Sequence, residues 1–168
     1  SIFKTKYDVN YNQSEVIMEF ASVDDVLDFA IRNEETARAF YLNLSEKMDN
    51  KAMRRIFMDF AEEELKHKRK LLDVKDGKLL EPSKNKILDL KIGDYLADVE
   101  EEDDIDYQKA LILAMKREKN AFKLYTDLAE SIDDNEGLKN TFHALAQEEA
   151  KHKLYFEREY DNEIYKEN

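Results

Sequence analysis

The chain has 168 residues, enough for one domain with a sizeable core, and its 3 Gly and 1 Pro are too few for a turn-rich all-β protein. It contains no Cys, which excludes disulfides, thiolate zinc sites, iron–sulfur clusters and a catalytic thiol. The net charge of -12 argues against nucleic acid or an anionic membrane surface as a partner, while 39% charged and 42% hydrophobic residues suit long amphipathic helices.

Residues 1–21 lack a helical period and read as an N-terminal tail or arm. They hold no apolar run long enough for a signal peptide, and no stretch of the chain approaches a membrane span, so a cytoplasmic location is expected. Ser22 with Asp25 three residues later predicts a helix start. The apolar stripe that follows runs through Val26, Leu27, Ala30, Ile31, Ala37, Tyr41 and Leu44, and breaks at Asp49-Asn50. A second stripe, from Met53 through Phe57, Phe60 and Leu71, ends near Gly77.

Residues 77–104 form a long connector with Pro82, Gly93 and an acidic run at 100–104. The third stripe includes Tyr107, Leu111, Ala114, Tyr125 and Leu128, and turns at Asp133-Asp134. The fourth includes Leu138, Phe142, Leu145, Phe156 and Tyr160. Each stripe has the spacing of one buried helix face. Short turns make two antiparallel hairpins, 22–76 and 105–162, joined by one long crossover. The expected fold is an all-α, antiparallel four-helix bundle spanning 22–168.

The halves repeat each other. Residues 60–68 (FAEEELKHK) align with 145–153 (LAQEEAKHK), and Glu34, Ala37 and Tyr41 align with Glu118, Ala121 and Tyr125. Polar residues fill gaps in the stripes: Glu34, Glu64 and His67 in the first half, Glu118, Glu149 and His152 in the second. Four carboxylates and two imidazoles therefore point into the core. Buried together, the carboxylates would be costly and would repel, and bound cations resolve both problems.

The ligand heights match as well. Each hairpin's Glu and Glu-x-x-His stand at nearly equal distance from their own turn, so at about 1.5 Å per residue they reach one level. Glu and His at i and i+3 share a helix face. One Glu from each of two helices and Glu-x-x-His from each of the others is the ligand set of di-iron and di-manganese bundles. Carboxylate oxygens with imidazole suit a pair of iron or manganese ions, with zinc as a further alternative.

Other polar residues read as ordinary. Glu35, Glu62, Glu63 and Glu148 are expected on solvated faces, although a one-position register error would promote Glu63 or Glu148. His143 has Asn140 at the position where a Glu would be needed. Tyr41 and Tyr125, seven residues after Glu34 and Glu118, are either plain core aromatics or catalytic-site residues whose hydroxyls bond a ligand carboxylate of the opposite hairpin.

These residues resemble the ferritin-like superfamily, and within it the rubrerythrin-related proteins. The resemblance covers about residues 22–160 through Glu34-x-x-Ala37-x-x-x-Tyr41, Glu64-x-x-His67, Glu118-x-x-Ala121-x-x-x-Tyr125 and Glu149-x-x-His152. It implies two irons, reduction of hydrogen peroxide or dioxygen, tyrosines that support the ligand shell, and a homodimer whose connector permits exchange of hairpins. Two departures stand out. Rubrerythrins proper carry a four-cysteine rubredoxin-type domain, absent here, so electrons are expected from a separate donor protein such as a rubredoxin. They also carry an extra Glu where this chain has Ala121. The alternatives are a non-catalytic iron-binding or storage protein of the same fold and a metal-free scaffold.

Overall fold

The structure, a computed structural model, describes residues 17–20, 22–78, 88–91 and 104–168. Strand β1 (Ile17–Phe20) leads into helices α1 (Val23–Glu46) and α2 (Lys51–Asp73). Strand β2 (Leu88–Lys91) precedes helices α3 (Tyr107–Glu130) and α4 (Glu136–Glu167). The helices form two hairpins of a four-helix bundle, with contacts concentrated within each hairpin.

Local chemistry sets where each helix starts. Side-chain oxygens of Ser22, Asn50, Asp106 and Asn135 accept hydrogen bonds from the first-turn amides of α1 to α4 in turn. Each such cap satisfies a backbone donor that the helix itself cannot, worth about 1 kcal/mol. After α2 a single wide π turn, Val74–Lys78, ends the hairpin. Gly77 sits there at φ +85, a left-handed conformation that costs glycine little and other residues more. Helix α4 runs to Glu167, five residues beyond the end expected from its apolar stripe, because its last turns are polar and exposed.

The structure adds one feature to the tail and connector. β1 and β2 pair antiparallel, Ile17 opposite Lys91 and Phe20 opposite Leu88. Strands of four residues carry too few alternations to give a period, which is why the sequence reads there as irregular. Pro82, Gly93 and the acidic residues 100–103 lie outside the described residues.

Two apolar clusters fill the bundle. One joins the start of α1 to the end of α3 and the start of α4, through Leu27, Ile31, Leu128, Leu138 and Phe142. The other joins the end of α1 to the start of α2, the start of α3 and the later half of α4, through Tyr41, Leu44, Phe57, Phe60, Leu111 and Phe156. The second is the more aromatic, with Phe60 and Phe156 centroids 4.2 Å apart and Phe57 and Phe156 stacked at 6.2 Å. Between the clusters lies a polar layer. Among the described residues, no helix is long and apolar enough to cross a membrane.

Candidate metal centre

The polar layer consists of the six residues singled out by the sequence. Glu34, Glu64, Glu118 and Glu149 are each 1% exposed, His67 5% and His152 8%. Their donor atoms form two groups, each with all atoms within 4.8 Å of one another: Glu34, Glu64, His67 and Glu149 in one, and Glu64, Glu118, Glu149 and His152 in the other. Glu64 and Glu149 belong to both. The layer is therefore two adjoining four-residue pockets with two shared carboxylates.

Individual oxygens bear out this division of labour. Glu64 Oε2 lies 3.6 Å from His67 Nδ1, and its Oε1 lies 3.5 Å from His152 Nδ1, so one carboxylate addresses both halves. Glu34 and Glu118 each address one: Glu34 Oε2 is 3.8 Å from His67 Nδ1 and Glu118 Oε2 is 3.7 Å from His152 Nδ1. Their other oxygens are held from the opposite hairpin. The Tyr125 hydroxyl donates to Glu34 Oε1, and the Tyr41 hydroxyl donates to Glu118 Oε1. Both tyrosines are fully buried, so the phenols fix the carboxylates from the apolar side.

The electrostatics are those of crowded acids. Burial and then the neighbouring Glu64 carboxylate push Glu34 up to about 8. Burial, then Glu118 and Glu64, push Glu149 well above the usual range. Burial acts upward on Glu64 too, but the neighbouring His152 and His67 imidazoles, with Glu34, outweigh it and hold Glu64 below the ordinary carboxylate range. Burial acts downward on the imidazoles and is outweighed by the carboxylates. His152, facing Glu118 and Glu64, stands at about 9, and His67, facing Glu149, Glu34 and Glu64, stands well above the ordinary value. Burial, followed by the adjacent Glu118 and Glu34 respectively, raises the Tyr41 and Tyr125 hydroxyls well above the ordinary phenol value.

These residues fit a pair of cations. Among the described residues, the buried side-chain atoms without a hydrogen-bond partner include Glu64 Oε1, His67 Nδ1, Glu118 Oε2, Glu149 Oε1 and His152 Nδ1. All five face the layer. His67 Nδ1 and Glu149 Oε1 approach to 2.8 Å without the alignment of a hydrogen bond. Orphaned buried polar atoms are costly, and convergent lone pairs on carboxylate and imidazole are what a hard or borderline divalent ion satisfies.

Other residues fall where their surroundings dictate. Glu35, Glu62 and His143 are exposed as expected, whereas Glu63, expected in solvent, is half-buried and pairs with Lys66 at 2.6 Å. Glu148 departs from the expectation of a solvated helix residue. It is half-buried, and its carboxylate lies with one nitrogen each of His67 and His152 within 4.8 Å. The pointer in the sequence is its place four residues before His152, one turn back on α4.

A family model described as Rubrerythrin matches residues 25–103 and 109–168. The chain belongs to the rubrerythrin family. Its fold is similar to that of a Thermotoga maritima protein described as ferritin-like and diiron-carboxylate. The two are 22% identical over 83% of this chain and 95% of that one, with a TM-score of 0.65. A hypothetical protein of Pyrococcus furiosus is 28% identical over 83% of this chain and 89% of its own, with a TM-score of 0.60. No curated protein matches the chain in sequence.

Proposed function

We propose that this rubrerythrin-family chain binds two iron ions in the polar layer and reduces hydrogen peroxide or dioxygen there. The observation that carries the reading is the pair of adjoining ligand groups sharing Glu64 and Glu149. Family membership and the description of the Thermotoga maritima protein support iron over manganese or zinc. Two ferrous ions held by these ligands would supply two electrons, which with two protons would take one hydrogen peroxide to two waters.

The chain's own residues have definable roles in this. Glu34 with His67 serves one position and Glu118 with His152 the other, while Glu64 and Glu149 span both. Tyr41 and Tyr125 keep Glu118 and Glu34 from rotating toward the apolar clusters, and so leave one oxygen of each facing inward. The aromatic cluster beside Tyr41 excludes water from one end of the layer, and Leu128 with Phe142 does so from the other. The 168 residues hold no Cys, so the reducing electrons are supplied from outside them, for which a rubredoxin has the right chemistry.

One observation favours a second reading, metal binding without turnover. Ala121 stands one turn after Glu118, where the resemblance implies a further Glu, and its methyl group offers no ligand atom. Metal content per chain, read together with peroxide consumption by the reduced protein, separates the two. Two irons per chain with peroxide consumed supports reduction. Two irons with none consumed, under any supplied reductant, leaves a binding protein.

A further inference from the structure

The six ligands are almost wholly enclosed, yet they are not equally enclosed. The four carboxylates are 1% exposed, whereas His67 and His152 are 5% and 8% exposed. The imidazoles are thus the ligands nearest solvent. They stack face to face, with centroids 5.5 Å apart and planes 11° from parallel. The pair joins α2 to α4, and the half-buried Glu148 has a carboxylate oxygen within 4.8 Å of a nitrogen from each ring.

We propose that Glu148, with His67 and His152, forms a third cation site, a loading station through which a divalent metal ion passes between solvent and the two buried positions. The inference rests on the two-metal reading above. A hydrated cation cannot lose its water directly into a layer this enclosed. A half-exposed carboxylate can take it while it keeps part of its hydration shell. The imidazoles then replace the remaining waters one at a time. The partner that Glu148 has in the structure, Lys151, is held loosely at 3.3 Å, and the lysine side chain is 71% exposed, so the carboxylate is easily released.

The station must be transient. Each imidazole must first release its extra proton to solvent, and it then has one nitrogen with a free lone pair. A histidine that has given this pair to a buried ion has none left for the station. Occupancy of the station and of the buried positions therefore compete for the same two rings, and the final content stays at two ions per chain. A transient station changes rates in both directions alike and leaves affinity untouched.

The internal repeat supplies the control. Glu63 is the counterpart of Glu148 in the first half, also four residues before its histidine. It pairs with Lys66 as Glu148 does with Lys151, and its side chain is 39% exposed against 44% for Glu148. Among the described residues Glu63 joins no ligand group. Removing either carboxylate costs the same charge on the same kind of surface.

The test uses the metal-free full chain and Co2+ in about 0.15 M salt, where charges beyond about 8 Å are screened. Uptake is followed by the visible d–d absorption of Co2+, and release by loss of that absorption to excess chelator. E148Q is expected to slow uptake and release by about tenfold each, with final stoichiometry unchanged, in the range by which a guiding charge alters association rates. E63Q should stay within about twofold of the unchanged chain, and E148D should restore most of the rate. Equal rates for E148Q and E63Q overturn the station while leaving the two-metal layer intact. So does a weaker final affinity for E148Q that comes from faster release at unchanged uptake, which would make Glu148 a fixed neighbour of the site. Failure of the unchanged chain to take up Co2+ overturns the two-metal reading and the station with it.

Discussion

The Tyr41 hydroxyl, on the first hairpin, donates its hydrogen bond to Glu118 on the second. Tyr125 returns the arrangement to Glu34. Each half of the polar layer is therefore built from one hairpin's Glu and His and braced by the other hairpin's phenol, so docking of the two hairpins and formation of the layer are one event.

Removing a brace should show this. Y41F leaves Glu118 Oε1 buried without its donor, a loss of roughly 1.5–3 kcal/mol for a bond to a charged acceptor. Metal retention should weaken by about 10–100-fold, as for other groups that orient ligands. Y125F should weaken retention likewise through Glu34, with a smaller loss of roughly 0.5–1.5 kcal/mol in the metal-free chain, where Glu34 stays largely protonated below about 8. Thermal unfolding of the metal-free chain reads the first effect and competition with a chelator the second. If Y41F and Y125F leave retention unchanged, the tyrosines are core aromatics and nothing more.

Because Glu64 and Glu149 belong to both ligand groups and Glu34 to one, their loss should differ in kind. E34A should leave about one ion per chain and E64A close to none, by the arithmetic of shared ligands. Elemental analysis of protein loaded with excess iron decides it. Equal losses in the two variants would mean that the groups do not adjoin as described.

The helices and the six buried polar residues were legible because both announce themselves by period. Apolar residues recur at helical spacing, and a Glu or His at such a position must lie inside. The repeat then doubled each signal. What resisted reading depends on how the hairpins dock. Tyr41 was ambiguous because its own helix says only that it is buried, and the carboxylate it meets lies 77 residues away. Glu148 reads as a solvated residue because it lies one residue off the buried face, and only the closeness of α2 brings His67 to it. The β1–β2 pair escaped because short strands far apart in sequence have no local partner to reveal them.

The aromatic end of the bundle should be the more sensitive to truncation. Phe156 is fully buried, touches Phe60 at 4.2 Å between centroids, and stacks on Tyr41 at 5.9 Å. F156A should lower stability by about 3–5 kcal/mol through lost burial and the cavity left behind. It should also loosen Glu118, since Tyr41 loses the ring that positions it. L128A, at the other end, should cost about 2–5 kcal/mol and leave Tyr41 undisturbed. Denaturant unfolding of the two variants, with iron content alongside, distinguishes a general loss of packing from one that reaches the ligands.

Protons and metal ions compete for the same layer, and the sign of the pH effect follows from the raised groups. His152 stands at about 9 in the folded metal-free chain against 6.5 for a free histidine, and His67 is also raised. Their folded forms hold protons that the unfolded chain has released, so the stability they contribute is complete below about 6.5, and His152's share is lost as pH rises through 9 while His67's is lost at still higher pH. Glu34, at about 8, and Glu149 act in the same direction from the ordinary carboxylate value upward. Glu64 acts oppositely, but its window lies in acid, below the ordinary carboxylate value. The metal-free chain should therefore lose thermal stability between pH 6.5 and 9, while iron binding tightens over the same interval because fewer protons must leave. Loaded protein, with the charges already met by cations, should hold a nearly level Tm there. Melting curves with and without chelator at several pH values measure the difference, and parallel declines in both forms would show that the layer does not exchange protons for metal.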